Sequence, residues 1–437
     1  MSQEQRLRCE RLVTPSAVLE GAVVTIRDSI ITDIRARSVS TGSADSIRSA
    51  DAPGSADAPG SADSTGSADA PVSAGIPGKA DSTGSAGIPG GADTDGSTEV
   101  TVPGWTVPGF VDTHVHGGGG FDYATTAADQ VLAARAFHRR HGTTSSLASL
   151  VTAQPDVLVE QIATLVPLVK SGELAGIHLE GPFLSPLKAG AHDVSQLRLP
   201  EPQLLDRLLD AGQGCIAMIT LAPELPGALE AVRRIVEAGA VAAIGHTDGD
   251  ETVTRSALDA GARVVTHLFN AMRPVHHRTP GPVPLLLSDD RATVELICDG
   301  FHLHRDVVTM AIAAAGPERV ALVTDAMLAA GAPDGRYQLG SLPVSVVEGQ
   351  ARLLGGDGRP GSIAGSTLTM ADAFAYVVAA GLSVPDVATM AATTPARRHH
   401  LDAVGAIQIG ARADLCVVDD LGRLQRVMYR GRWLTDD

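Results

Sequence analysis

Cysteine is scarce and scattered: Cys9, Cys215, Cys298 and Cys416 lie far apart, with no C-x-x-C pair among them. That spacing excludes a zinc ribbon and a dense disulfide framework, and it predicts reduced, mostly buried thiols. Long apolar runs are missing. None approaches the ~20 residues that span a bilayer, and the opening MSQEQRLRCERLVTP has no apolar segment of the signal-peptide kind. No membrane partner is expected, and the chain is expected to be cytoplasmic. Basic residues are few as well: 34 Lys and Arg face 50 Asp and Glu, a formal charge of −16. Nucleic acids and anionic membranes need a basic face, so neither is an expected partner. What is present is apolar mass: 44% of 437 residues, enough for one large domain plus a smaller one.

Low complexity breaks the chain once. Over residues 38–98 the sequence runs GSADAPGSADSTGSADAP and similar, with Asp45, Asp51, Asp57, Asp63 and Asp69 at six-residue intervals. A hexapeptide β-helix would need a regular aliphatic position facing its core, which is missing, so the composition predicts a disordered, duplicated insert. Between residues 41 and 98 eight Asp oppose only Arg48 and Lys79, so six of the sixteen net negative charges lie there. They say nothing about an active site.

The insert interrupts a pattern. In residues 1–37, AVLEGAVVTIRDSIITDIRA reads as short strands around an Arg-Asp turn; TVPGWTVPGF follows the insert in 99–109; and 396–437 returns to alternating apolar residues with Gly and Asp turns. Both chain ends thus predict one small β domain of β-sandwich type. Between them, in 110–395, apolar runs alternate with helical patterns: FVDTHVH, TTSSLASL, LAGIHLEG, CIAMITLAP, VAAIGHT, VVTHLFN, TVELICDG and VALVTDA. PGALEAVRRIVEAG, one of the intervening segments, carries its apolar residues at helical spacing. An open doubly wound α/β sheet is the rival, but eight consecutive units favour a (β/α)8 TIM-like barrel.

Barrel active sites lie at the C-terminal ends of the strands, which gives polar residues there functional weight. Strand one ends in His114 and His116, strand three in Glu180, strand five in His246, strand six in His267 and strand eight in Asp325. A single strand-end histidine is more often a hydrogen-bonded structural residue than a ligand. Six such residues converging on one mouth make a nitrogen and oxygen set suited to zinc or iron(II), with manganese or cobalt as alternatives. One carboxylate can bridge two ions. His178 falls on the same face as Glu180, one step deeper, and is expected to be structural. His138 and His141 are expected on a solvated helix face beside Arg139 and Arg140, and His399 and His400 as exposed charge.

PGFVDTHVHG, HLEGPF, KAGAH ending at His192, IGHT, THLFNAM, CDGFH, VTDAM and AGSTLTM occur in this order. With them the chain resembles the N-acetylglucosamine-6-phosphate deacetylase family of the amidohydrolase superfamily over nearly its whole length outside the insert. HxH alone marks only the superfamily; HLEGPF, then KxGAH, then THLFNAM is specific to this group. The resemblance implies a (β/α)8 barrel with a small β domain from both chain ends, and one or two divalent ions. Glu180, His246 and His267 would hold the principal ion, and His114 and His116 would join Glu180 and Asp325 around a second. Asp325 would act as base and acid, and His192 would meet the acetyl carbonyl. Asn270 with Ala271, Arg278 and His302 would grip the sugar phosphate. Arg278 is selected over Arg273, His276 and His277 by the family pattern alone; in the family it can reach a neighbouring subunit, which implies a homodimer.

Rival readings have their own discriminators. Cyclic-amidase and dihydroorotase types commonly use a carboxylated lysine on strand four, and CIAMITLAP has no lysine. A catalytically silent metal-binding relative would not need Asp325. N-acetylgalactosamine 6-phosphate, or another N-acyl substrate, is the alternative to the glucosamine isomer. Gly117–Gly120 are expected to let the backbone pass close over the metal mouth, since no Lys or Ser/Thr follows at P-loop spacing.

Overall fold

Eight apolar runs become eight parallel strands in the computed structural model, which describes residues 4–36, 38–40, 91–92, 98–355 and 358–435. In order they are Phe110–Asp112, Thr143–Val151, Gly176–Glu180, Ile216–Leu221, Val241–Ile244, Val264–Val265, Thr293–Ile297 and Val320–Val323. Each pairs in parallel with the next. The seam between strands eight and one is closed beyond their ends, where the Thr324 hydroxyl donates to Asp112 Oδ2 (2.6 Å) and the Asp325 amide to the His114 carbonyl (2.8 Å). A helix follows every strand, as parallel connections require. The helix Ala228–Glu237 shows why: Ala228, Ala231, Val232 and Ile235 form one buried stripe.

The two chain ends meet in a separate sheet. Its spatial order is Arg432–Trp433, Leu424–Tyr429, Leu415–Val418, Thr98–Pro108, Glu4–Val13, Val18–Arg27 and Ile30–Arg35. Strand alternation sends Leu415 and Val417 into a cluster with Leu7, Cys9, Leu12 and Val24, and sends Cys416 and Val418 into the barrel core. The sheet therefore buries both faces and fits the expected small β-sandwich domain. Most of the 38–98 insert lies outside the described residues; at its edges Ser38–Ser40 pairs with Val18–Glu20, and Gly91–Ala92 with the start of Thr98–Pro108. All four cysteines are free and buried. Among the described residues no helix is long and apolar enough to cross a membrane.

Other features depart from the sequence reading. A four-stranded antiparallel sheet, Gly335–Leu339, Leu342–Val347, Gln350–Leu354 and Pro360–Ile363, follows barrel strand eight. Its signal was the alternating LPVSVV between turns at Gly340 and Gly349. Gly117–Gly120 do not clear the metal mouth. Gly117–Gly118 pairs with Phe121–Asp122 in a hairpin, and a Cβ on Gly118 would lie 2.5 Å from the His138 ring. Gly119 and Gly120 turn that hairpin with positive φ. His138 is accordingly buried rather than solvated, with Nε2 2.7 Å from the Gly117 carbonyl, and His141 is half-buried. The solvated face of the helix Ala128–Arg140 carries Ala128, Asp129, Gln130, Leu132 and Arg140, whereas Arg139 stacks over Tyr429 of the terminal sheet (4.0 Å) and Arg135 pairs with Glu173. His399 is half-buried rather than exposed, its Nδ1 enclosed with no partner among the described residues, whereas His400 is exposed as expected.

Candidate metal centre

At the strand ends the backbone turns sharply. His246, His267 and Asp325 have φ of 48°, 30° and 49°, a left-handed conformation that costs a residue with a side chain about 1–3 kcal/mol and persists only where surroundings impose it. For Asp325 the surroundings are plain: its amide donates to the His114 carbonyl, and its own carbonyl accepts from the Ser366 amide (2.7 Å). Gly365 makes that approach possible, since a Cβ there would sit 3.0 Å from the Asp325 carbonyl oxygen. The AGSTLTM stretch thus supports the turn that carries Asp325.

The turns bring two sets of ligand atoms together, His114–His116–Glu180–Asp325 and Glu180–His246–His267, each set lying within 4.8 Å. Glu180 belongs to both. Its Oε1 is 3.1 Å from His246 Nε2 and 3.0 Å from His267 Nε2, while Oε2 is 3.2 Å from His116 Nε2. His116 Nε2 is 3.1 Å from Asp325 Oδ1, and His114 Nε2 is 3.5 Å from the same oxygen. A tetrahedral ion with bonds of about 2.0–2.2 Å spaces its ligands about 3.3–3.6 Å apart, close to these separations.

Tautomers give a second test of fit. His246 Nδ1 donates to the Lys188 carbonyl (2.8 Å), His116 Nδ1 to the Ser149 carbonyl (3.2 Å) and His114 Nδ1 to Glu295 Oε2 (3.3 Å). With Nδ1 carrying the proton, each Nε2 turns a lone pair inward. Yet His114 and His116 Nε2 are 3.2 Å apart, and those of His246 and His267 are 3.0 Å apart. Ring nitrogens this close, with carboxylate oxygens of Glu180 and Asp325 3.0–3.5 Å from them, call for positive charge in their midst, and so the residues fit divalent metal.

Charge agrees with geometry. Burial opposes charge on His114 and His116, but Glu180 and Asp325 lift the first well above the ordinary histidine range and, with Asp325 leading, the second to about 9. Burial likewise opposes ionisation of Glu180 and Asp325, and the histidines nonetheless hold Glu180 well below the carboxylate range and Asp325 at about 2. Asp325 is therefore ionised.

His192 belongs to the same mouth. Its Nε2 is 3.3 Å from Glu180 Oε2, and its Nδ1 accepts the Thr152 amide at 3.3 Å. Burial pushes it down to about 4, so the ring is neutral; Nδ1 also lies 3.0 Å from the Thr152 hydroxyl, and the amide pointing at Nδ1 favours the tautomer with the proton on Nε2. His178 is structural as expected, fixed between the hydroxyls of Ser149 and Thr220 at 2.8 Å each. Asn270 and Ala271 form the turn after His267: Asn270 Nδ2 donates to the carbonyls of His267 and Leu268, and the Ala271 carbonyl accepts from Thr247. His302 is held through Nδ1 by Asp299 Oδ2 (2.7 Å). Arg278 is exposed, with its guanidinium 2.6 Å from His277 Nε2.

Sequence reasoning passed over Glu295, Thr152 and Asp299, which orient His114, His192 and His302. Glu295 carried a signal, a lone carboxylate inside the apolar strand TVELI. Thr152 carried none.

The Amidohydrolase family model matches residues 105–434. An N-acetylgalactosamine-6-phosphate deacetylase of Escherichia coli O157:H7 is 36% identical over 74% of this chain and 86% of its own. An N-acetylglucosamine-6-phosphate deacetylase of Bacillus subtilis (strain 168) is 34% identical over 73% of this chain and 82% of its own. The structure of an N-acetyl-D-glucosamine-6-phosphate deacetylase mutant from Mycobacterium smegmatis, in complex with N-acetyl-D-glucosamine-6-phosphate, is 37% identical, with a TM-score of 0.81 over 99% of both chains.

Proposed function

The chain belongs to the amidohydrolase family, and from that premise we propose that it removes the acetyl group from N-acetylglucosamine 6-phosphate, giving glucosamine 6-phosphate and acetate. One observation carries the reading: Glu180 is shared by two sets of metal ligands, one of which includes Asp325, and His192 Nε2 lies 3.3 Å from Glu180 Oε2. Glu180, His246 and His267 would hold one ion, and His114, His116, Glu180 and Asp325 a second. The ligand set suits Zn2+ or Fe2+. When bound, such an ion supplies Lewis acidity and brings the pKa of water from ~15.7 towards ~7.

The chain's own groups do the rest. Asp325, ionised in the mouth, accepts the proton of the attacking water. It then returns that proton to the nitrogen as the carbon–nitrogen bond breaks, because an amine anion is a very poor leaving group. The Nε2–H of His192 donates to the acetyl oxygen as negative charge develops there; losing one such donor costs about 10²-fold or more. Asn270, Ala271, His302 and Arg278 would grip the sugar phosphate. His302 is suited to an anion, since Asp299 lifts it above the ordinary range against the effect of burial. Arg278, exposed, would reach the site of a partner subunit in a homodimer. A phosphorylated substrate, which does not cross membranes unaided, supports a cytoplasmic location.

The test is acetate release from the two 6-phosphorylated N-acetylhexosamines and their unphosphorylated forms, with and without chelator. We expect activity that chelator abolishes and Zn2+ or Fe2+ restores, with little turnover of the unphosphorylated sugars. The galactosamine isomer is included because a relative of that specificity matches as well as the others. Turnover indifferent to chelator would overturn the reading.

A further inference from the structure

The two sets of ligands are supported unequally. His246 is oriented by a neutral carbonyl, that of Lys188, and His267 Nδ1 is buried with no hydrogen-bond partner among the described residues. His114 is instead oriented by a carboxylate. Glu295 projects from barrel strand seven between Val294 and Leu296, with 1% of its surface exposed. Its Oε2 lies 3.3 Å from His114 Nδ1, and its Oε1 accepts from the Thr113 hydroxyl at 3.0 Å. Among the described residues no Lys or Arg pairs with it; its one ion-pair partner is His114.

A carboxylate buried without a cation is costly, and the cost is met only where positive charge reaches it. Here that charge can come only through the His114 ring, which touches Glu295 on one edge and Glu180 and Asp325 on the other. A carboxylate accepting Nδ1–H fixes the ring's tautomer and makes Nε2 a stronger donor to metal. Neither effect acts directly on His246 or His267: among the described residues the Glu295 carboxylate is hydrogen-bonded to Thr113 and His114 alone, although its backbone carbonyl accepts from the Leu268 amide.

We infer that Glu295 is the positioning residue that makes this a two-metal centre, holding the second ion in the His114–His116–Glu180–Asp325 set by orienting and polarising His114. The inference rests on the metal-dependent reading above. Its test uses no substrate, so its failure is distinct from failure of the deacetylase assignment. Metal-free protein is titrated with Co2+ and followed by visible absorption and bound-metal analysis. The wild type is expected to bind two equivalents. Glu295→Gln, which keeps the shape and removes the charge, is expected to weaken the second equivalent roughly 10–100-fold and leave the first unchanged. Glu295→Asp keeps the charge but draws it back by about 1.5 Å, and should fall between; it carries the test alone if Glu295→Gln does not fold. A purely structural role for Glu295 predicts lower thermal stability of the metal-free variant with both affinities intact. That result, equal weakening of both equivalents, or a wild type that binds a single equivalent would overturn the inference.

Discussion

Asp325 is tightly constrained. It is buried, its φ is positive, its amide and carbonyl are both engaged, and its carboxylate faces His114 and His116. Those constraints fix where a proton can be taken up and given back. Replacing the carboxylate with an amide removes the proton acceptor and leaves the shape, so Asp325→Asn should lower kcat by ~10²–10⁴-fold with a much smaller change in KM. Steady-state kinetics with metal content measured on the same sample checks this, and wild-type turnover in the variant would refute the proton-transfer role. The neighbouring His192 shows how a residue's role depends on its partner: the Thr152 amide donating to Nδ1 favours the tautomer that donates from Nε2.

Between elements, the packing of the helix Ala128–Arg140 on the Gly117–Asp122 hairpin explains both the glycines and the burial of His138. A side chain on Gly118 would strike Phe137 and His138. His138 donates its Nε2–H to the Gly117 carbonyl, its Nδ1 is enclosed with no partner among the described residues, and burial depresses its pKa from 6.5 to about 4. The unfolded chain therefore takes up this proton first as pH falls. Stability from this group is fully present above pH 6.5 and is lost as pH drops towards 4, by about 3 kcal/mol in the limit. His138→Gln keeps an amide donor for Gly117 but cannot titrate. Its melting temperature should fall less than that of the wild type between pH 7 and pH 4.5 in thermal unfolding; equal falls would place the acid sensitivity elsewhere.

At the scale of the whole molecule, the terminal sheet and the barrel share one apolar cluster containing Val107, Cys416, Val418 and Val427 alongside barrel residues. Phe374, on the helix Met370–Ala379 after strand eight, stacks on Phe110 of strand one with centroids 5.2 Å apart. It braces the side of the barrel where the circle closes. Phe374→Ala should cost about 3–5 kcal/mol, and sheet and barrel should still unfold together in one calorimetric transition. Two separate transitions in the wild type would show that they are independent units.

Much of this was legible in the sequence. Eight apolar runs announced the barrel, the strand ends pointed to Glu180, His114, His116, His246, His267 and Asp325 as candidate ligands, and the alternation at both chain ends announced one small β domain; these are local signals of period and position, which the order of residues carries directly. The sequence could not tell which side of a helix meets a hairpin, so His138 and the four glycines were misplaced, and it could not measure the distance from Glu295 to His114, which lie 181 positions apart in the chain. Local order determines what each segment presents. Only tertiary closure, by bringing remote segments within hydrogen-bond range, decided which of those groups act on one another.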